Sequence, residues 1–294
     1  MHRREFIIAG VGLSSCLIAG SAIAAAGSAQ LPSSMQKDFA MPITKSTDTG
    51  RKSRVFITGS ADGLGRAAAK TLLDQGHDVV VHVRSTSRLD AVQELVDKGA
   101  IATVADLSEL TQVRDLARQV NKIGRMDAVI HNAGIISGPN LLVVNVVAPY
   151  LLTALIDRPQ RLIYLSSSMH KGGDPKLAQM DWSGRTSSGS YSDSKLFVTA
   201  LAAAVARLWP DVLSNAVDPG WVPTKMGGAG APDDLRLGHL TQEWLATSND
   251  PAALISGGYW HHQQRQSPHA AVLDTKFQDQ LLAQLASVTG TKLG

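Results

Sequence analysis

Cysteine is almost missing from the 294 residues: Cys16 stands alone, inside an apolar stretch near the N-terminus. One thiol makes no intramolecular disulfide, so the rest of the chain has neither disulfides nor thiol chemistry. Aromatic residues are few, at 5%, and the net charge is only +3, two of the positives being Arg3 and Arg4. No basic stripe interleaved with aromatics occurs, which excludes nucleic acid as an expected partner. No G-x-S-x-G elbow occurs either, which argues against serine hydrolysis. Repeats of 20 to 50 residues are absent, and with them the solenoid architectures. What is present is ordinary for a globular chain with a substantial core: 44% hydrophobic and 18% charged residues.

The first residues have their own pattern. Arg3-Arg4-Glu5-Phe6 precedes an uncharged run from Ile7 to Ala26, and Ala22, Ala24 and Ala26 offer Ala-x-Ala cleavage sites. The arginine pair resembles a bacterial twin-arginine export signal. Residues 1–29 are therefore expected to be a signal peptide read by the export machinery, giving a periplasmic or secreted product. The alternative is a membrane anchor, since the run is about the ~20 residues a spanning helix needs. Leu13-Ser14-Ser15-Cys16 loosely matches a lipoprotein processing box, but the apolar run continues past it. Residues 30–53, polar and aperiodic, read as a linker, and 54–294 as the folded domain.

From Arg54 onward, short apolar runs alternate with helical stretches. Val55–Ile57, Asp78–Val83, Ala100–Val104, Met126–Ile130, Leu162–Leu165 and Val212–Val217 read as strands. Between them lie helical patterns over Gly63–Gln75, the stretch to Lys98, Ser108–Lys122, Val143–Ile156 and Tyr191–Leu208. This alternation predicts βαβ units and an α/β fold with a single doubly wound parallel sheet of the Rossmann type, flanked by helices. Gly257-Gly258-Tyr259-Trp260 reads as a late edge strand and Phe277–Leu285 as a closing helix.

Thr58-Gly59-Ser60-Ala61-Asp62-Gly63-Leu64-Gly65 lies between the first strand and the first helix. Glycines there let the backbone turn tightly and approach a pyrophosphate resting on the helix N-terminus. The spacing is neither G-x-G-x-x-G nor that of a P-loop. T-G-x-x-x-G-x-G resembles the nucleotide-binding pattern of short-chain dehydrogenases/reductases, and other segments follow in the same order. Asn132-Ala133-Gly134 comes after the fourth strand, Ser166-Ser167 after the fifth, and Tyr191-Ser192-Asp193-Ser194-Lys195 at the next helix. Pro219-Gly220, with Val222 and Thr224, follows the sixth strand and resembles the loop that holds the nicotinamide. The resemblance implies an oxidoreductase interconverting a carbonyl and an alcohol, with homo-oligomers possible in the family. Other functions weighed are a catalytically silent nucleotide-binding redox sensor and an extended-type epimerase or dehydratase, whose T-G-x-x-G-x-x-G spacing differs.

Tyr191 and Lys195 are four apart and share one helix face. A free tyrosine has a pKa near ~10. A neighbouring ammonium, with the positive charge of an oxidised nicotinamide, is expected to lower it and make Tyr191 the general acid/base. The resemblance assigns Ser167, over its neighbours Ser166 and Ser168, to hydrogen-bond the substrate oxygen, and Asn145 to a water relay reaching Lys195. Arg84, following Val83 where NAD enzymes place an acid, points to the 2′-phosphate of NADP(H) rather than to NAD(H). Asp106-Leu107 resembles the family's adenine contact.

Three departures stand out. Asn132 to Asn145 is short for the family, Asp62 stands where NADP-preferring members often carry a basic residue, and the gap from Ser167 to Tyr191 is long. That gap holds Asp181-Trp182 and resembles the retinol-dehydrogenase-like branch. Trp221, Met226 and Trp244 are candidates for an apolar substrate pocket. No metal is expected: adjacent residues on a strand face opposite ways, which separates His261 from His262.

Overall fold

Val55, Phe56 and Ile57 alternate across a strand, and each face finds its own hydrophobic layer. Val55 and Ile57 pack with Ala68, Ala69, Leu72, Leu245 and Ala246, whereas Phe56 packs with Val113, Leu116 and Leu151 on the opposite side. A sheet buried on both faces needs strands that are apolar throughout, which is why these read as continuous runs. The computed structural model describes residues 52–294. The expected signal peptide, 1–29, and all but the end of the expected linker lie outside the described residues.

In chain order the strands are β1 (Arg54–Ile57), β2 (Asp78–Val83), β3 (Ile101–Val104), β4 (Ala128–His131), β5 (Arg161–Leu165), β6 (Leu213–Asp218), β7 (Tyr259–His261) and β8 (Gln264–Gln266). The helices are α1 (Gly63–Asp74), α2 (Gln93–Asp97), α3 (Leu110–Ile123), α4 (Ala148–Leu155), α5 (Tyr191–Leu208), α6 (Leu235–Thr247), α7 (Ala270–Leu273) and α8 (Thr275–Thr289). The sheet order is β3-β2-β1-β4-β5-β6-β7-β8, parallel except for the β7–β8 pair. The order reverses between β1 and β4, so their carboxyl ends open a crevice suited to a ligand. Among the described residues no helix is long and apolar enough to cross a membrane.

Three local expectations need correction. The helical stretch ending at Lys98 is a 3-10 segment, Thr86–Val92, followed by the short α2. Ser85 and Ser87 bond through their hydroxyls there, at 2.8 Å. Such local side-chain bonds compete with an α-helix start. Tyr259-Trp260 is not at the edge, because β8 pairs beyond it. His262 and Gln263 have φ of 47° and 62°, so His262 sits in the hairpin turn rather than on the strand. Its ring therefore stacks on His261 at 3.8 Å, instead of facing away.

Candidate active site

At the first crossover, three bonds tie the Gly-rich turn to the end of β4. Thr58 Oγ1 accepts from Asn132 N and Ala133 N, both at 3.0 Å, and Asn132 Nδ2 donates to the Thr58 carbonyl at 2.9 Å. A Cβ on Gly59 would fall 2.9 Å from Ala133 Cα, and one on Gly65 only 2.4 Å from Asn132 Nδ2 and 2.6 Å from the Gly59 carbonyl. The glycines thus permit a close approach of two loops, besides the positive φ of Gly59 and Gly63. His82, on β2, is buried and accepts from Gly59 N at 3.0 Å while its other nitrogen meets the Ala105 carbonyl at 2.8 Å. Burial pushes it down to about 4, so it stays neutral and rigidly ties the turn to β3. Nothing in the sequence pattern singled it out.

Several expected cofactor residues are placed differently from one another. Ser60 is fully buried and its hydroxyl donates to the Ile57 carbonyl at 2.6 Å, so its side chain serves the turn. Leu107 packs in the core layer against α3, and the Asp106 carboxylate accepts from Ser108 N and Oγ. Leu64 and Val222 meet across Gly238, where a Cβ would fall 2.6 Å from Val222 and 3.1 Å from Leu64. Thr224 comes within 3.4 Å of a Cβ built on Gly63 and accepts from Gly227 N, so the loop after β6 leans on the Gly-rich turn. Arg84 is exposed, and it makes no ion pair among the described residues. Asp62 is instead engaged by two cations, Arg88 at 3.1 Å and Lys225 at 2.8 Å. Arg88 was not anticipated, although its position four residues after Arg84, close behind β2, was a usable signal.

The catalytic candidates converge at the other side of the crevice. Ser190 caps α5: its hydroxyl accepts from Asp193 N at 3.2 Å while Asp193 Oδ2 accepts from Ser190 N at 2.7 Å. This reciprocal box fixes Tyr191 as the first helical residue and Lys195 one turn on. Lys195 Nζ lies 5.4 Å from the Tyr191 ring centre and donates to the Leu165 carbonyl at 2.7 Å. Gly134 stands against the polar ends of Asn145 and Lys195: a Cβ there would be 3.4 Å from Asn145 Oδ1 and 3.6 Å from Lys195 Nζ. Asn145 is buried within a π-type turn, Val143–Val147, where Oδ1 accepts from Ile135 N at 2.8 Å and Nδ2 donates to Ser194 Oγ at 3.0 Å. These bonds place the asparagine at an interruption of the helix, where the π-type turn frees its backbone neighbours. Of the three serines, Ser166 is buried on Thr199 at 2.5 Å, Ser168 is exposed, and Ser167, half-buried with its hydroxyl accepting from Met169 N at 3.2 Å, is the one close enough to the Tyr191 phenol to favour its charged form.

The protein's own groups act against the lowering expected for Tyr191 with Lys195 and an oxidised nicotinamide beside it. Burial, aided by the negative charge of Asp218, pushes Tyr191 up to about 12 despite the nearby Ser167 hydroxyl. Burial pushes Lys195 down to about 8, against the pull of Asp218. Desolvation therefore outweighs any lowering by Lys195, because Lys195 is buried and Tyr191 half-buried. Met226 Sδ approaches the Tyr191 hydroxyl to 3.9 Å, and Trp221 is 60% exposed with Nε1 donating to the Gly227 carbonyl. Trp244 belongs elsewhere: it packs edge-on against Trp260 at 5.3 Å in the α1–α6 layer. In the long gap, Asp181 accepts from Ser183 and Thr186, and Trp182 packs on Phe197.

The short chain dehydrogenase family model matches residues 53–150. An uncharacterized oxidoreductase, AN7799, of Emericella nidulans is 39% identical over 252 residues, covering 81% of this chain and 97% of that protein. The chain belongs to the short-chain dehydrogenase/reductase family. The short-chain dehydrogenase chry4 of Gibberella zeae is 35% identical over 254 residues, 82% of this chain and 98% of that one. Human retinol dehydrogenase 13 is 27% identical over 209 residues, 63% of this chain and 62% of that one, so retinol-dehydrogenase-like relatives are among its homologues. A crystal structure of an uncharacterized protein from Mycobacterium paratuberculosis shares the fold, with a TM-score of 0.70 and 24% identity, over 84% of this chain and 97% of that one. This short-chain dehydrogenase/reductase is thus an oxidoreductase built on a Rossmann-type sheet.

Proposed function

We propose that the enzyme interconverts an apolar carbonyl compound and its alcohol with NADP(H), and that Tyr191 moves the proton. The observation that carries the reading is the convergence of Ser167, Tyr191, Lys195 and Asn145 on one crevice beside the Gly-rich turn. Thr58 to Gly65, Asn132 to Gly134 and the Pro219–Thr224 loop would hold the dinucleotide, with its pyrophosphate over the N-terminus of α1. NADPH, when bound, supplies a hydride to the carbonyl carbon. Ser167 Oγ donates to the carbonyl oxygen and orients it. As that oxygen gains charge, the Tyr191 hydroxyl gives it the proton; a phenol held near 12 is fully protonated at neutral pH, which suits reduction. Lys195, held by the Leu165 carbonyl, keeps a positive charge beside the phenolate left behind. Asn145 holds the end of the proton path to solvent. Met226, 41% exposed over the hydroxyl, gives the substrate side an apolar, adaptable wall.

The cofactor choice rests on Arg84 and Arg88. Charge-assisted bonds to a 2′-phosphate are worth about 1.5–3 kcal/mol each. Arg84→Ala and Arg88→Ala are each expected to weaken NADPH about tenfold or more and NADH hardly at all, measured by fluorescence titration of both cofactors. Equal losses for NADH and NADPH would make both arginines plain surface charges. For the leader, the proposal is export of a folded protein with NADP(H) already bound, since ligand bound only to the native state stabilises it by RT ln(1 + [L]/Kd). Mass spectrometry of the exported fraction should find the nucleotide; an empty protein binding NADPH only at high micromolar concentration would contradict this.

A further inference from the structure

Asp218 closes β6 and is only 5% exposed. Its Oδ1 accepts from Gly220 N at 3.0 Å and its Oδ2 from the Tyr259 hydroxyl at 3.0 Å. His261 Nδ1 lies 3.6 Å from Oδ2, and no lysine or arginine forms an ion pair with it among the described residues. A buried carboxylate without a direct cationic partner is costly to maintain. Its surroundings suggest what offsets that cost. Ala216, two residues earlier on the same strand face, packs with Leu196 and Phe197 of α5, so the Asp218 carboxylate lies on the α5 side of the sheet, where its charge acts on Tyr191 and Lys195. His170, from the turn Ser168–Gly172, meets the ring of Tyr259, and the hairpin after β7 adds His261 and His262. Leu165, whose carbonyl holds Lys195 Nζ, is paired with Val217, the residue just before Asp218. The carboxylate therefore ends the strand adjacent to the one whose Leu165 carbonyl holds the ammonium.

We propose that Asp218 is a positioning residue that sets the charge of the Tyr191–Lys195 pair while pinning the Pro219-Gly220 turn through its bond to Gly220. The inference rests on the reading of Tyr191 and Lys195 given above. A negative charge near these partly desolvated groups favours the protonated form of each: ammonium on Lys195 and neutral phenol on Tyr191. Both effects act in the same direction, since Asp218 raises the proton affinity of each group. Without it, burial alone would strip Lys195 of its proton at lower pH. Reduction needs the phenol proton and the ammonium together, so Asp218 extends the reductive range upward in pH.

The test is the pH profile of kcat/KM for carbonyl reduction by the full-length enzyme. Wild type should lose rate as pH rises through about 8, the range where Lys195 titrates. Asp218→Asn should move that midpoint roughly one pH unit toward acid, as expected for deleting a nearby charge at low dielectric. Asp218→Ser, whose hydroxyl can still accept from Gly220 N, should shift it in the same direction and serves if the asparagine variant fails to fold. The pH dependence of NADPH affinity, read by fluorescence, should shift likewise and requires no turnover. An unmoved midpoint in folded variants, or an equal shift in Tyr259→Phe, which removes a hydroxyl but no charge, overturns the proposal. If Tyr191→Phe remains active, it is the reading of Tyr191 that fails, whatever Asp218 does.

Discussion

Tyr191→Phe should lower turnover by about 10²–10⁴-fold and leave NADPH affinity nearly unchanged. The substitution deletes one hydroxyl and nothing else, so Lys195 keeps its bond to the Leu165 carbonyl and α5 keeps its Ser190–Asp193 cap. The phenol also has no structural duty that would confuse the result: its hydroxyl meets the sulfur of Met226, at 3.9 Å. Steady-state kinetics and a fluorescence titration on the same preparation separate the two effects. Retention of more than about a tenth of the rate would remove Tyr191 as the proton donor, because positioned acids seldom contribute so little.

Gly65→Ala should damage both stability and cofactor binding. Its Cβ would fall 2.6 Å from the Gly59 carbonyl, a backbone atom, and 2.4 Å from Asn132 Nδ2. Neither neighbour can give way freely, since Asn132 donates to the carbonyls of Thr58 and Gly59 and so fastens β4 to the turn. Overpacking of this kind costs about 1–3 kcal/mol. Melting should fall by several degrees, about 2–4 °C per kcal/mol for a domain of this size. NADPH binding should weaken at least about tenfold, because the turn and the start of α1 shift together. An unaltered Kd and melting temperature would show that the two loops are not held against each other as described.

How far the sequence discloses this arrangement depends on the residue. Tyr191 and Lys195 are legible because spacing on one helix is local, and α5 begins and ends where the pattern predicts, Tyr191–Leu208. The box S-Y-S-D at its start, Ser190 to Asp193, carries a signal for that boundary. The strands are legible because both sheet faces are buried. What local pattern misses is burial of charge and contact at long range. The expected lowering of Tyr191 considers the ammonium and the nicotinamide charge, whereas the fold also desolvates the phenol and brings the charge of Asp218 to bear on it. Arg88 and Lys225 meet Asp62 from segments 26 and 163 residues away, a convergence only the fold supplies. His261 and His262 fail as a strand pair because His262 and Gln263, both with positive φ, turn the chain between β7 and β8.

The most direct measurement follows the transferred atom. Full-length enzyme is incubated with NADPH deuterated at nicotinamide C4 and a panel of apolar aldehydes and ketones, and the products are analysed by mass spectrometry. The account predicts an alcohol bearing deuterium on its carbinol carbon, formed in step with the loss of NADPH absorbance and abolished by Tyr191→Phe. An unlabelled alcohol, or labelled alcohol formed equally well by Tyr191→Phe, would contradict it.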